Sequence, residues 1–246
     1  MTNVKSQLQH FKARHKWIGQ ERYHITPNGD VFPGVTTILS ATKPERDRQA
    51  LESWRKRVGA KEADKVKKDA TERGSRMHNQ IENYLTGLID FDEITEPIGQ
   101  SVKPILKCID ETWLIEGLIW HPCGFAGSVD FLGVLDGTPT VIDWKTSRKP
   151  KKRAWIDDYF CQVAAYSAGM NRVYQEQGVQ IKDATVVIAV EGVSEAQIFR
   201  VANNELMSYW EWFQERVEEY NKKVANGQHS DFKSGSFRQP SEVNSD

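Results

Sequence analysis

The sequence predicts an α/β fold of the α+β type, with a central mixed β-sheet flanked by helices and an N-terminal helical lobe. Three observations lead to this prediction. β-rich segments follow one another at residues 114–120, 125–135 and 138–146, separated by turn residues. Residues 45–86 are rich in Lys, Arg, Glu and Ala, which favours helices. Near the C-terminus, apolar residues recur at helical spacing along one segment.

The N-terminal part of the chain predicts a small hairpin and a short helix. Strand-like residues flank the turn sequence at residues 26–30, where Pro-Asn-Gly-Asp is typical of a tight turn. The segment after Pro33 and Gly34 favours a short helix, for which Thr36 is the predicted cap. The amide donors at its start could also bind a phosphate, although capping alone explains the residue.

The helical lobe carries an excess of positive charge. Between residues 43 and 76 there are twelve Lys and Arg against seven Asp and Glu, a net of +5, whereas the whole chain has a net charge of -1. Breaks are predicted around Gly59 and near Gly74 or Gly87. A solvated helical face would explain the charge, and a face that binds a nucleic-acid backbone becomes the stronger hypothesis only beside a catalytic site.

The remaining elements follow in order. A helix is predicted at residues 96–112, interrupted or restarted at Pro104, and Asp136-Gly137 predicts a hairpin between the second and third β-segments. A helix at residues 157–177 and strands at 184–190 and 196–201 come next. The last helix follows the cap candidates Asn203 and Asn204, and its predicted core stripe comprises Leu206, Trp210, Phe213, Val217, Tyr220 and Val224.

The 246 residues fit one integrated domain. We expect an extension at residues 1–21, the hairpin and basic helical lobe at 22–113, the core with the candidate site at 114–225, and a disordered tail at 226–246. The three cysteines, Cys108, Cys123 and Cys161, lack a CxxC pair, which argues against a disulfide framework, a structural zinc site and an iron–sulfur cluster. No signal peptide or long apolar run is present, so we expect a soluble cytoplasmic protein without membrane contact.

The strongest candidate site is Asp143-Trp144-Lys145, at the end of an apolar strand. Strand periodicity places the carboxylate of Asp143 and the ammonium of Lys145 on one face. Pairing about the Asp136-Gly137 turn brings Asp130 roughly opposite Asp143. Two carboxylates that hold a divalent cation, beside an ammonium, suit metal-assisted hydrolysis of phosphodiesters. A structural ion pair among the same residues is the alternative.

Other candidates lie outside these strands. Gln162 and Tyr166 share one face of the following helix. His78, on the basic helix, could be a further metal ligand or a structural histidine, and Glu116 is either a further acidic ligand or an exposed strand residue.

Candidate DNA contacts are the threonines of the short helix and basic residues near the site. Residues 143–153 have six positive charges against one, and Trp144, Trp155 and Tyr159 could stack on unpaired bases. A solvated loop is the alternative. The candidates for nucleic-acid binding are Thr36, Thr37, Arg73, Arg76, Arg148, Lys149, Lys151 and Lys152.

The arrangement resembles the PD-(D/E)xK nuclease superfamily, in particular its RecB-like exonuclease branch. Its pattern of a helical His, Gly-x-x-Asp, Asp-x-Lys and Gln-x-x-x-Tyr matches His78, Gly127 to Asp130, Asp143 to Lys145, and Gln162 to Tyr166. The segments at residues 32–39 and 141–147 are most similar to mitochondrial genome-maintenance exonucleases and their bacterial and phage relatives, so a bacterial cell or a phage-infected host is the expected setting.

The resemblance implies a restriction-endonuclease-like core, Mg²⁺ or Mn²⁺ as cofactor, and cleavage of single-stranded DNA ends or flaps in replication, repair or recombination. It implies that His78, Asp130, Asp143 and the backbone carbonyl of Trp144 bind the metal, that Lys145 assists the water, and that Gln162 and Tyr166 order the site. We expect a monomer. The alternatives are a catalytically silent nucleic-acid-binding module and a dimeric restriction-type endonuclease acting on duplex DNA.

Overall fold

The computed structural model describes residues 8–19 and 21–227. Two sheets are present in this part of the chain, one of three strands and one of five. The strands are β1 (Arg14–Ile18), β2 (Glu21–Ile25), β3 (Val31–Pro33), β4 (Ile109–His121), β5 (Phe125–Leu135), β6 (Thr138–Ser147), β7 (Asp183–Val190) and β8 (Gln197–Ala202). The helices are α1 (Val35–Ala41), α2 (Glu45–Val58), α3 (Ala60–Leu85), α4 (Pro97–Gln100), α5 (Lys103–Leu106), α6 (Asp157–Val173) and α7 (Asn203–Ala225).

The five-stranded sheet has the order β4-β5-β6-β7-β8. The first three strands form an antiparallel meander, as predicted from the turn residues between them. Strand β7 pairs with β6 in parallel, because α6 carries the chain back to the start of the sheet, and β8 then pairs antiparallel with β7. The predicted mixed sheet flanked by helices is therefore confirmed.

Helices cover both faces of this sheet. On one face, α1, α6 and α7 pack against sheet residues such as Val141 and Val186, and Phe213 of α7 belongs to the same core. On the other face, α3, α4 and α5 pack against Ile142 and Trp144, which come from the same strand as Val141. Apolar side chains alternate along β6 toward two separate cores, so residues 140–144 of this strand, including Asp143, are buried on both sides.

The small N-terminal sheet confirms the predicted hairpin between β2 and β3, and β1 joins it as a third strand. The capping prediction for Thr36 is wrong. Gly34 is the N-cap of α1, and Thr36 is an exposed residue inside the helix. The helix begins two residues earlier than a cap at Thr36 would allow, because Gly34 already has the extended backbone that precedes a helix.

The basic lobe consists of α2 and α3. The predicted break at Gly59 is confirmed, since this glycine has a φ of 84° between the two helices. Gly74 does not break the helix, and α3 runs through it to Leu85, after which Gly87 has a positive φ. No side chain of α2 is buried, whereas α3 packs on the sheet through Met77 and Ile81.

The single helix predicted at residues 96–112 is wrong. Two short helices, α4 and α5, occupy its first half, and β4 begins at Ile109. Pro97 and Pro104 each lie in the first turn of one of these helices, where the missing amide hydrogen costs nothing. The predicted restart of a helix at Pro104 is therefore confirmed, and the alternative of an interruption is wrong.

The C-terminal elements follow the prediction closely. Helix α7 buries Leu206, Phe213, Val217 and Tyr220 along the predicted stripe. Its N-cap is Ala202, so the predicted capping role of Asn203 and Asn204 is wrong. The predicted tail lies almost entirely outside the described residues. None of the helices in the described part is long and apolar enough to cross a membrane.

Candidate active site

Strands β5 and β6 separate at the predicted site. Their pairing runs from Leu135 and Thr138 to Phe131 and Ile142, and stops there. Continuing the same register by one step would place Asp130 beside Asp143, as the sequence predicted. Instead of a further backbone pair, the Oδ2 atom of Asp130 accepts a hydrogen bond of 2.9 Å from the backbone N–H of Trp144. The carboxylate of Asp130 thus supplies to β6 the hydrogen-bond acceptor that a backbone carbonyl of β5 would otherwise provide.

The other backbone group of Trp144 is bound in a similar way. His78 lies on α3, and its Nε2 atom is 2.8 Å from the carbonyl oxygen of Trp144. Both polar backbone groups of Trp144 on the edge of β6 are therefore satisfied by candidate site side chains.

Glu116 completes a row of carboxylates across three strands. Ile115 pairs with Phe131 and Gly117 with Val129, which places Glu116 opposite Asp130. Its φ of 49° is rare for a residue with a side chain and indicates backbone strain of the kind that is found at functional sites. Ser128 donates a hydrogen bond of 3.1 Å to Glu116 Oε2.

The ligand atoms of this row and of His78 lie close together. Atoms of His78, Glu116 and Asp130 are all within 4.8 Å of one another. His78 Nδ1 is 3.7 Å from Asp130 Oδ2 and 4.0 Å from Glu116 Oε1. The structure therefore brings Glu116 into the candidate metal cluster with the residues that the motif contains.

Asp143 and Lys145 form a buried ion pair next to this cluster. Lys145 Nζ is 2.5 Å from Asp143 Oδ2, and the Asp143 side chain is fully buried. Within the described residues, neither oxygen of this carboxylate accepts a well-directed hydrogen bond. A buried carboxylate with so few partners is costly unless a further cation binds it.

The electrostatics of the cluster also favour a cation. Burial, followed by the neighbouring charge of Asp143, raises the pKa of Asp130 to about 7. Burial lowers the pKa of His78, but Glu116, Asp130 and Asp143 together outweigh it and raise this pKa. Burial likewise opposes the charge of Lys145, yet Asp143 and Asp130 keep its pKa above the ordinary value. Crowded carboxylates that retain protons fit a divalent cation, which would replace those protons.

Gln162 and Tyr166 of α6 pack beside the two aspartates. Gln162 Nε2 donates a hydrogen bond of 2.9 Å to the hydroxyl of Tyr166, and both side chains are buried. Burial, with the charges of Asp143 and Asp130, raises the pKa of the Tyr166 hydroxyl, which therefore stays neutral. Gly127 makes room for this ring, since a Cβ atom there would lie 2.7 Å from Tyr166 Cε1. The close approach of Tyr166 therefore explains why the Gly-x-x-Asp pattern has glycine at this position.

The candidate phosphate-binding residues fall into two groups. Several of the arginines are partnered with carboxylates: Arg73 with Glu191 at 3.6 Å, Arg76 with Glu96 at 3.3 Å, and Arg148 with Glu191 at 3.9 Å. In contrast, the loop lysines form no ion pair within the described residues; they are Lys149, Lys151 and Lys152.

The aromatic predictions are corrected in part. The ring of Trp144 is only 2% exposed and belongs to the core between α3 and the sheet, so it cannot stack on a base. Trp155 is 64% exposed, and Lys152 Nζ lies 5.2 Å from its ring centroid. Tyr159 is partly buried beneath Lys145 Nζ, at 5.4 Å from the ring centroid.

Two polar residues near the cluster were not predicted. Ser128 lies two residues before Asp130 on the same strand, so strand periodicity would have placed it on the same face. Arg22, on β2, lines the cleft that contains His78 and Glu116. No local sequence signal marks Arg22, because its position depends on how the N-terminal hairpin packs against the rest of the chain.

Three curated proteins named as exonucleases are similar in sequence to this chain. The human and Xenopus tropicalis proteins named mitochondrial genome maintenance exonuclease 1 are each 30% identical to this chain, over 210 residues (80% of this chain) and 215 residues (82%). The Mus musculus protein of that name is 28% identical over 206 residues (79%). The chain spans 60% of the length of these curated relatives. The family model of the PD-(D/E)XK nuclease superfamily matches residues 35–236, and the chain belongs to this superfamily.

Proposed function

We propose that this chain is a metal-dependent deoxyribonuclease, and more specifically an exonuclease acting on single-stranded DNA ends or flaps in replication, repair or recombination. The observation that carries the proposal is the meeting of His78, Asp130, Asp143 and Lys145 where β5 and β6 separate. The exonuclease names of the relatives support the same activity. The exposed ring of Trp155 beside a basic loop supports a preference for unpaired bases.

The proposed cofactor is Mg²⁺ or Mn²⁺, without an iron–sulfur cluster. His78, Asp130 and Asp143 would hold it, with the carbonyl of Trp144 and the carboxylate of Glu116 as further oxygen ligands. Oxygen-rich sites with one imidazole suit these cations. When bound, such a cation supplies Lewis-acid charge and lowers the pKa of a coordinated water.

The protein's own groups have distinct proposed roles in catalysis. Lys145 is held in place by Asp143 and by the ring of Tyr159, so its ammonium can orient the attacking water and offset negative charge that develops on the phosphate. Gln162 and Tyr166 order the site, because their hydrogen bond fixes two buried polar side chains against the aspartates.

DNA would approach the site along the basic loop that follows β6. Lys149, Lys151 and Lys152 are the proposed contacts to phosphates. The partnered arginines Arg73, Arg76 and Arg148 could exchange a carboxylate for a phosphate. Thr36 and Thr37 line a separate cleft beside α1 and are proposed as further contacts. We propose that the protein acts as a monomer.

The test is digestion of single-stranded, flap, duplex and circular DNA, each linear substrate labelled at the 5′ or the 3′ end. The proposal expects Mg²⁺-dependent release of short products from linear single strands and flaps, no cleavage of circles, and complete inhibition by a chelator. The end label that disappears first gives the polarity.

Two other outcomes would identify the alternatives. Cleavage of circular duplex DNA by a dimer would support a restriction-type endonuclease. Binding of DNA without turnover in Mg²⁺ or Mn²⁺ would support a silent nucleic-acid-binding module.

A further inference from the structure

The N-terminal hairpin of β1 and β2 borders the candidate active site. A cleft of about 650 Å³ lies between this hairpin and α3, and its lining includes His15, Arg22, His78, Asn79, Glu116 and Ser128. A second cleft of about 330 Å³ lies beside α1, and its lining includes Trp17, Arg22, Thr36, Thr37 and Ser40. Arg22 lines both clefts and therefore borders the cleft that contains His78 and Glu116 as well as the cleft that contains Trp17.

Arg22 carries a charge that no carboxylate neutralises within the described part of the chain. Its side chain is exposed and takes part in no ion pair there, unlike Arg73, Arg76 and Arg148. Burial, followed by the positive charge of Arg22, lowers the pKa of His15. A free guanidinium next to a site for phosphodiesters is suited to binding a phosphate through two parallel hydrogen bonds.

The backbone of Arg22 is held firmly. Its carbonyl oxygen accepts hydrogen bonds from the backbone N–H of Gly34 at 3.3 Å and from the hydroxyl of Thr37 at 3.2 Å. These contacts tie β2 to the start of α1, which packs on the same face of the large sheet as α6. The position of Arg22 relative to the site therefore depends on the folded core and not on a loose hairpin.

Trp17 is directly opposite Arg22 in the hairpin register. Its side chain is 66% exposed, and it lines the same cleft as Arg22. Directly paired strand residues have Cβ atoms about 4.5–5.5 Å apart, so the two side chains leave the hairpin from adjacent positions. A large exposed ring beside an unneutralised cation matches the two parts of a nucleotide, a base that stacks and a phosphate that carries charge.

We propose that Trp17 and Arg22 form a nucleotide-binding subsite for the DNA strand, next to the metal cluster. Trp17 stacks on one unpaired base, and Arg22 binds a phosphate of the same strand on the side facing His78 and Glu116. The inference rests on the proposed function, because it assigns the path of the strand that the nuclease cuts. It adds a second contact surface to the basic loop that contains Lys149 to Lys152.

The experiment measures binding of a fluorescein-labelled single-stranded oligonucleotide by anisotropy, with Mg²⁺ present. Lys145→Ala serves as the background, so that no turnover occurs, and circular dichroism checks the fold of every variant. Trp17→Leu removes the ring but keeps an apolar side chain, while Trp17→Phe keeps a ring. Arg22→Gln removes the charge, and Arg172→Gln is the matched control, since Arg172 is an exposed arginine that lines a different cleft.

The two residues should give different signatures. Trp17→Leu is expected to weaken binding by roughly five- to a hundredfold, the range found for the loss of one base stack, whereas Trp17→Phe should retain most of the affinity. Arg22→Gln should reduce the slope of log affinity against log salt by about 0.7, the contribution of one phosphate contact on a single strand. Trp17→Leu and Arg172→Gln should leave this slope unchanged.

An abasic nucleotide tests the stacking contact itself. A series of oligonucleotides carries a single abasic site at successive positions. With Trp17 intact, the abasic site should weaken binding at one position in particular. At that position, Trp17→Leu should bind the abasic and the intact oligonucleotide with similar affinity. If Trp17→Leu weakens binding equally at every abasic position, the ring does not stack on a base and the subsite is overturned. The same conclusion follows if Trp17→Leu and Arg22→Gln both bind within twofold of the background.

Failure of the subsite can be distinguished from failure of the proposed function. If the wild-type chain digests single-stranded DNA while the Trp17 and Arg22 variants bind normally, only the subsite is wrong. If the wild-type chain neither binds nor digests DNA with Mg²⁺ or Mn²⁺, both proposals are wrong.

Discussion

The imidazole of His78 contacts the backbone carbonyl of Trp144 at 2.8 Å, and this contact joins the helical lobe to the sheet at the candidate site. His78 comes from α3, whereas Asp130 and the Asp143–Lys145 pair come from the β-meander. The contact occurs where β6 has lost its neighbour β5, so the site lies at a gap in the hydrogen-bonded sheet. The candidate ligands are therefore assembled only when α3 packs on the sheet.

We expect Lys145→Ala to lower the single-turnover rate on linear single-stranded DNA by at least about 100-fold, comparable to the loss of one group that stabilises developing charge. DNA affinity should change little. The measurement is rapid-quench digestion combined with anisotropy binding. Lys182→Ala, at an exposed position beside the start of β7 and outside the proposed site, is the control and should stay within a few-fold of wild type. Turnover by Lys145→Ala at the wild-type rate would refute the catalytic role.

We expect Asp130→Asn to abolish the stabilisation that Mn²⁺ gives to the fold. A ligand present at about 100 times its Kd stabilises a protein by about 2.7 kcal/mol, which thermal unfolding detects as a higher Tm. In chelator, the variant should be at least as stable as wild type, because the substitution removes a negative charge from a crowded carboxylate cluster. Glu219→Gln, a surface change on α7, should keep the Mn²⁺ response. An unchanged response in Asp130→Asn would exclude this carboxylate as a ligand.

We expect Gly127→Ala to destabilise the protein and slow hydrolysis together. The added Cβ would lie 2.7 Å from the ring of Tyr166, so the ring must move away from the aspartates. Overpacking of this kind costs about 1–3 kcal/mol, measurable by urea denaturation alongside the digestion rate.

Gly74→Ala is the matched control for Gly127→Ala. Gly74 lies inside α3, and its added Cβ would have an ordinary contact of 3.9 Å with Thr146 Oγ1. We expect this change to stabilise the protein by roughly 0.5–1 kcal/mol, because alanine favours the helix more than glycine does. A Gly127→Ala protein as stable and active as wild type would show that Tyr166 does not need its present position.

We expect His24 to make the fold less stable in mild acid. Burial, followed by the charge of Arg22, lowers the pKa of this imidazole to about 4, well below the value of about 6.5 in an unfolded chain. The unfolded state therefore binds a proton at a higher pH than the folded state. Stability from this residue is fully present above about pH 6.5 and is lost as the pH falls toward 4.

The measurement for His24 is the free energy of unfolding in urea at pH 7 and pH 5. Wild type should lose on the order of 2 kcal/mol more than His24→Gln between these two values. Equal losses in both proteins would show that His24 does not remain neutral in the fold.

Much of the sheet could be predicted because its turns carry strong local signals. Asp136-Gly137 specifies the hairpin, and the hairpin specifies that Asp130 approaches Asp143. The separation of β5 and β6 at this point could not be predicted, because it depends on side chains that replace backbone pairing. The positive φ of Glu116 could not be predicted either, since glutamate rarely adopts such a backbone angle.

The errors have physical causes as well. Pro104 reads as a helix breaker in isolation, but it lies in the first turn of α5, where proline is well tolerated. Trp144 was a candidate for stacking because it neighbours the motif, yet strand alternation already directs it away from Asp143 and Lys145 and into the core. The role of Arg22 depends on tertiary packing alone, so no pattern within the hairpin indicates it.

The row of Glu116, Asp130 and Asp143 determines where the chain can tolerate insertions and deletions. These residues occupy neighbouring positions on three strands, and side chains in a strand alternate between faces. Deleting a single residue from β4 between Glu116 and the turn that leads to β5 would move Glu116 out of the row or force a bulge to absorb the change. Insertions and deletions should therefore be tolerated at the far end of β4, where the register already shifts near Thr112, and be selected against between the row and its turns.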